Sequence, residues 1–246
     1  MVTTMTDTLP SKLPASEPLS SDGLYRLMTW LSPSFPVGAF SYSHGLETAI
    51  ERGLVKDRAT LETWIAGILE FGAGASDALL FRAAHAAIHD KAIAAVIELG
   101  AAWRGSAELA HESAAQGEAF LTAAYAAWPL PAIWQCRQVA DATGQPVAYA
   151  VAVGAATRGL PLEIALGAFL QAIAANQVSA GIRLIPLGQT DGQIAIARLA
   201  AAVTRAVAAA LAGSIDDLPR RLGSAATQVE LMSMQHETQY TRLFRT

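Results

Sequence analysis

From Leu24 onward, apolar residues recur at helical spacing, and strand-like alternation is nearly absent. Leu24, Leu27, Met28 and Leu31 fall at i, i+3, i+4 and i+7, which predicts a first helix with one apolar stripe. Pro33 and Pro36 bias Ser32 and Phe35 away from helical backbone, so that helix is expected to stop near Leu31. Ser41 is the predicted N-cap of a second helix, Tyr42–Glu51, accepting from the N–H of Ser43 or His44, with Gly53 near its C-cap. Gly45 falls inside that predicted helix, where it costs about 0.5–1 kcal/mol relative to alanine, so another backbone is expected to approach it closely. Asp57 caps a helix carrying Leu61, Trp64, Ile65, Ile68 and Leu69, which ends around Gly72–Gly74.

Further helices are predicted over 76–89, 92–99 and 106–128, the last broken by Pro129 and Pro131. Pro146 and Pro161 sit where a first-turn proline is tolerated and open segments to about Thr157 and about Arg183. Thr190 or Asp191 is expected to cap a helix with the stripe Ile196, Leu199, Val203, Val207, Ala210 and Leu211, and a last helix spans about 225–234. No internal repeat is present. The expectation is one all-α domain of roughly ten helices over 21–234. A Thr-, Ser- and Pro-rich segment, 1–20, is expected to be disordered before it, and a polar tail, 235–246, follows.

Composition refines this picture. The 246 residues are long enough to bury a real core, and much of the 52% hydrophobic content is alanine, which lets helices approach closely. The charge-free run 164–182 has the length of a membrane span, but Gln171, Asn176, Gln177 and Ser179 make it read as a buried helix. The opening residues lack the basic-then-apolar pattern of a signal peptide, and the single cysteine, Cys136, has no partner for an internal disulfide. Both point to a cytoplasmic protein with no membrane association. A net charge of −4 without a basic stripe argues against a nucleic-acid partner. Lysine occurs at Lys12, Lys56 and Lys91 alone, so positive charge beyond residue 91 is arginine, which pairs bidentately with carboxylates.

The sequence contains no GxxxxGK[ST], GxGxxG or HExxH string, so no cofactor is expected. His85 and His89 form an i, i+4 pair that would share a helix face, a weak two-imidazole metal pattern whose plain reading is an exposed polar face. Cys136 reads as a packed core residue, and Asp216–Asp217 as a cap before Pro219. Nothing composes an active site, which points to a binding role.

Three segments carry candidate binding chemistry. The tail Gln235–Thr246 interleaves Tyr240, Leu243 and Phe244 with Arg242 and Arg245; it either folds back onto its own core or anchors a partner and becomes ordered there. Arg183 interrupts an apolar stretch and needs an acidic or carbonyl partner if buried. Gly188, Gln189, Thr190, Asp191 and Gly192 form a polar turn, either a cap or a recognition loop.

Three literal strings then narrow the reading: Leu31–Glu47 (LSPSFPVGAFSYSHGLE), Val178–Gln193 (VSAGIRLIPLGQTDGQ) and Met234–Arg245 (MQHETQYTRLFR). In this order they resemble the urease accessory protein UreF family, from about Leu24 to the C-terminus. His44 stands where glutamine is common in that family, and Gln235 where arginine is common. The resemblance implies an all-α homodimer that assembles with a UreD-like (UreH-like) protein and the UreG-like GTPase on apo-urease, where nickel and a carbamylated lysine are installed. The alanine-rich helices, which call for more apolar cover than one subunit supplies, also favour a homodimer. By position, the resemblance assigns partner-binding roles to Tyr42, His44, Glu47, Arg183, Gly188, Gln189, Asp191, His236, Tyr240, Arg242, Leu243 and Phe244. The implied role is a non-enzymatic scaffold. Two alternatives are a GTPase-activating protein using Arg183 or a tail arginine, and a nickel metallochaperone using His85 and His89.

Overall fold

Ser20 accepts a hydrogen bond from the Gly23 N–H and caps the first helix, α1 (Ser21–Trp30), of the computed structural model. The structure describes residues 18–245, so the expected disordered stretch over 1–20 lies almost wholly outside the described residues. Within them the fold is all-α: twelve α-helices, two short 3-10 turns and no strand. After α1 come α2 (Leu46–Glu51), α3 (Arg58–Phe71), α4 (Ala73–Ala86), α5 (Asp90–Ala102) and α6 (Ala107–Ala127). The second half holds α7 (Pro131–Thr143), α8 (Tyr149–Ala156), α9 (Leu162–Leu184), α10 (Gln189–Leu211), α11 (Leu218–Arg221) and α12 (Thr227–His236).

The short helix α8 lies at the centre, and every residue from Ala150 to Ala156 is buried. Alanines and a glycine make this possible. A Cβ on Gly154 would stand 2.5 Å from the Phe81 carbonyl oxygen, so α4 reaches α8 at backbone distance. Helices α6 and α7 close over other faces of α8, while α10 packs along α3 and α9. Segments 58–86, 162–184 and 189–211 are each long and apolar enough to cross a membrane by length and composition. Here they pack against one another.

An aromatic cluster ties the loop after α1 into this body. Trp30 meets Phe120 edge-on at 6.0 Å and Trp128 at 5.9 Å, and Phe35 lies 5.4 Å from Phe120. Arg82 caps the end of α10 by donating to the carbonyls of Ala210, Ala212 and Gly213, and Arg158 donates to those of Ala87 and Ala132.

Several sequence expectations are corrected. The second helix begins at Leu46, not Tyr42, and Ser41 does not cap it; Ser41 instead ends a 3-10 turn, Ala39–Ser41. His44 (φ 54°) and Gly45 (φ 72°) both take left-handed backbone, and Leu46 N–H donates to the Ser43 carbonyl, closing a tight turn. Helix α7 was not expected, because Pro131 starts a helix as well as ending the chain's previous one. Pro146 lies outside α8, and Gly188, rather than Thr190 or Asp191, occupies the N-cap of α10. On α1 the apolar stripe is split: Leu27 is buried, while Leu24 and Met28 face outward.

Candidate functional site

The three familiar strings, far apart in sequence, meet in space. Glu47, in the first turn of α2, is buried and aimed at the chain's end. Its Oε1 accepts from the Leu243 N–H at 2.7 Å and its Oε2 from the Phe244 N–H at 3.0 Å. The same Oε2 lies 3.1 Å from Nε2 of His236, which is wholly buried at the end of α12. On its other side the imidazole meets Glu108 of α6, with Nδ1 2.9 Å from Oε2. Arg242 donates to Glu108 Oε1 at 3.1 Å. Burial pushes the Glu108 carboxyl above its ordinary range, and His236 and Arg242 partly offset this.

Around this knot, further contacts fix the tail. Thr48 donates to Gln239 at 2.7 Å, and the Arg245 N–H donates to the Ser41 carbonyl at 2.8 Å. Gly45 gives α12 room to approach: a Cβ there would stand 2.6 Å from the backbone nitrogen of Ser233. Arg183, from the middle string, donates to the Phe40 carbonyl at 2.8 Å and holds its guanidinium 4.4 Å above the Phe244 ring. Arg183 thus joins the middle string to both of the others, while Glu47 and Ser41 join the first string to the tail.

The sequence-predicted residues therefore divide into two groups. Tyr42, Glu47, His236 and Phe244 are buried and hold the chain's own segments together. His44 is half-buried, its Nδ1 3.2 Å from both Glu112 Oε1 and Gln177 Nε2, which pins the left-handed turn. Arg183, Gly188, Gln189, Tyr240, Arg242 and Leu243 are exposed, and Tyr240 is fully so at 102%. Asp191 is half-buried and pairs with Arg58 of α3 at 2.8 Å, away from the knot. The tail lies folded back on its own core through Phe244.

Glu108, Gln177 and Thr48 belong to the site although no motif singled them out. The only sequence signal for Glu108 is its place in the first turn of α6, one turn before the buried Glu112. Beside the knot, a recess of about 290 Å³ opens between the 31–40 loop and α9, with Phe35, Phe40, Tyr149, Asn176 and Gln177 among its walls. Outward-facing apolar side chains flank the same loop: Phe40 itself, and Tyr25 and Met28 on the helix that leads into it.

His85 and His89 do not form a pair. Helix α4 ends at Ala86, His85 directs Nε2 to the Leu160 carbonyl at 3.0 Å, and His89 occupies the N-cap of α5. His236 and its two glutamates cannot converge on one ion, because the ring lies between the carboxylates. Among the described residues no group of three or more His, Cys, Asp or Glu side chains could hold a metal ion. Cys136 is buried, which pushes its thiol up to about 11.

The fold and this knot define an all-α protein whose chain end is clamped onto an N-terminal signature loop, leaving aromatic and arginine side chains on the adjoining surface. Residues 55–200 match the family profile described as UreF, and the chain belongs to the UreF family. It is 51% identical to urease accessory protein UreF of Rhodopseudomonas palustris (strain BisB18), over 90% of this chain and 91% of that one. It is 49% identical to the protein of the same name from Granulibacter bethesdensis, over 93% and 97% of the two chains. Against the Bradyrhizobium diazoefficiens protein of that name, identity is 46% over 90% and 91%.

Proposed function

We propose that this chain is a non-enzymatic urease maturation factor of the cytoplasm, a homodimeric scaffold that bridges a UreD-like (UreH-like) protein and a UreG-like GTPase while nickel, the cargo, is inserted into apo-urease. The observation that carries this reading is the convergence of the three signature strings on one surface, where Tyr240, Leu243 and Phe40 face outward. Exposed aromatics beside arginine are the side-chain types that dominate binding energy at interfaces. The names of the relatives point the same way.

The scaffold is favoured over a catalytic GTPase activator. Arg183 is engaged with the Phe40 carbonyl and Phe244, and Arg242 with Glu108, so either of these two would have to leave its partners to act in trans.

Co-expression with UreD-like and UreG-like proteins tests the reading, with urease activation as readout. Recovery of the complex and loss of nickel-dependent urease activity when this chain is omitted are expected. A chain lacking 235–246 is expected to keep its helical circular dichroism and lose the UreD-like protein on co-purification. Failure of the folded full-length chain to bind either protein overturns the proposal.

A further inference from the structure

His236 raises a proton-counting problem. A neutral imidazole has one N–H donor and one lone pair, yet both ring nitrogens of this fully buried side chain face carboxylate oxygens, at 3.1 Å on Glu47 and 2.9 Å on Glu108. With a neutral ring and two ionised carboxylates, one nitrogen lone pair would point at an acceptor. That is a buried acceptor–acceptor contact, which forfeits a hydrogen bond and adds repulsion. The geometry is satisfied when the triad holds one more proton, either on the ring as imidazolium or on the neighbouring carboxyl.

We propose that the docked C-terminal tail of this protein is a proton-dependent latch: the Glu47–His236–Glu108 triad holds one extra proton when the tail is docked, and losing it as pH rises frees the tail from residues 41–47. Glu47 is the link between proton and tail, because the carboxylate that receives the ring N–H also receives the Leu243 and Phe244 N–H groups. Once the ring donates to only one side, two buried carboxylates face each other across it, and Arg242 pairs with Glu108.

The other charged groups on the packed elements do not relieve this. On α6, Glu112 faces His44 one turn beyond Glu108, and His111 is exposed. On α2, Glu51 and Arg52 are exposed at the far end. On α12 and the tail, Glu230 lies toward Gly105, Arg245 is exposed, and Glu237 adds negative charge near Glu108. The raised pKa of Glu108 has the same sign: a group protonated more readily in the docked state stabilises docking at low pH and loses that contribution as pH rises.

The latch concerns docking of the tail on its own chain, so it stands or falls independently of the maturation-factor reading. Joined to that reading, it makes the surface carrying Tyr240 and Leu243 responsive to pH.

The test is amide hydrogen exchange on the full chain from about pH 6 to about pH 9, spanning the ordinary histidine range and corrected for intrinsic exchange. Protection of the Leu243 and Phe244 amides is expected to fall by up to about tenfold per pH unit, the limit for one linked proton, while α8 stays protected. A Glu108→Gln chain replaces the mobile proton with a fixed amide N–H and is expected to keep the tail protected across the range. A His236→Gln chain is expected to lose the slope; if it does not fold, Glu108→Gln decides. Wild-type protection that does not change with pH, or a Glu108→Gln chain with the wild-type slope, overturns the latch.

Discussion

His236 Nε2 stands 3.1 Å from Glu47 Oε2, a contact between residues 189 positions apart that closes the end of the chain onto its signature loop. With Glu47 taken up by the ring and two backbone amides, Phe244 seats under Arg183, and Tyr240 and Leu243 are left facing solvent.

Glu47→Ala removes one carboxylate and strands three donors, of which the His236 ring and the Phe244 N–H are buried. The expected loss is about 2–4 kcal/mol, in the range for breaking a buried charged hydrogen-bond set. Urea unfolding measures it. Asp191→Ala, which breaks a more exposed pair with Arg58, is expected to lose less than about 1 kcal/mol.

Gly45 and Gly53 both hold left-handed backbone, at φ 72° and 73°. Nothing lies within 4 Å of a Cβ on Gly53, whereas one on Gly45 would meet the Ser233 backbone. Gly53→Ala is therefore expected to cost about 1 kcal/mol from strain alone, and Gly45→Ala about 3 kcal/mol or more. Thermal melts of the two variants give the comparison. Equal shifts would mean that the approach of α12 to this turn contributes nothing.

Phe120 packs edge-on to Trp30 and beside Phe35, and it is fully buried. Phe120→Ala is expected to destabilise the fold by about 3–5 kcal/mol and to change the fluorescence of Trp30 and Trp128. An unchanged spectrum with unchanged stability would remove this cluster from the account of how the 31–45 loop is held.

Asp57 accepts from the Thr60 N–H at 2.9 Å within a reciprocal capping box, and that bond holds its carboxyl below the usual range. A depressed carboxylate adds stability above its unfolded value, and the contribution is lost as pH falls through and below about 4. Asp57→Ala is expected to weaken the acid dependence of unfolding. The comparison is denaturant midpoints of both chains across that interval.

Nickel titration by calorimetry provides a control on metal binding. His85 is directed to a backbone carbonyl and His89 lies beyond the end of α4, at the N-cap of α5, so the double alanine variant is expected to give the same heat as the parent. A His-dependent heat would contradict the geometry of both side chains.

Much of the body was legible in the chain, as α3 illustrates. The stripe Leu61, Trp64, Ile65, Ile68 and Leu69 is buried as its spacing predicts, and Asp57 caps it, because both signals are local. Helix α7 was also within reach, since Pro131 at its first position and left-handed Gly144 at its end are standard punctuation. The second helix was not. Ser41 looks like a cap until His44 is drawn to Glu112 and Gln177, and only those distant partners show why the chain turns at His44–Gly45 instead.

The sequence by itself determined the helical class, the family and the aromatic and arginine side chains of the candidate surface, since periodicity, capping residues and literal strings are properties of neighbouring positions. Tertiary structure decided which members of those strings are held inside and which face solvent. Glu47, His236 and Phe244 were candidates no different from Tyr240 or Leu243 until packing assigned them, because burial and pairing depend on residues nearly two hundred positions away.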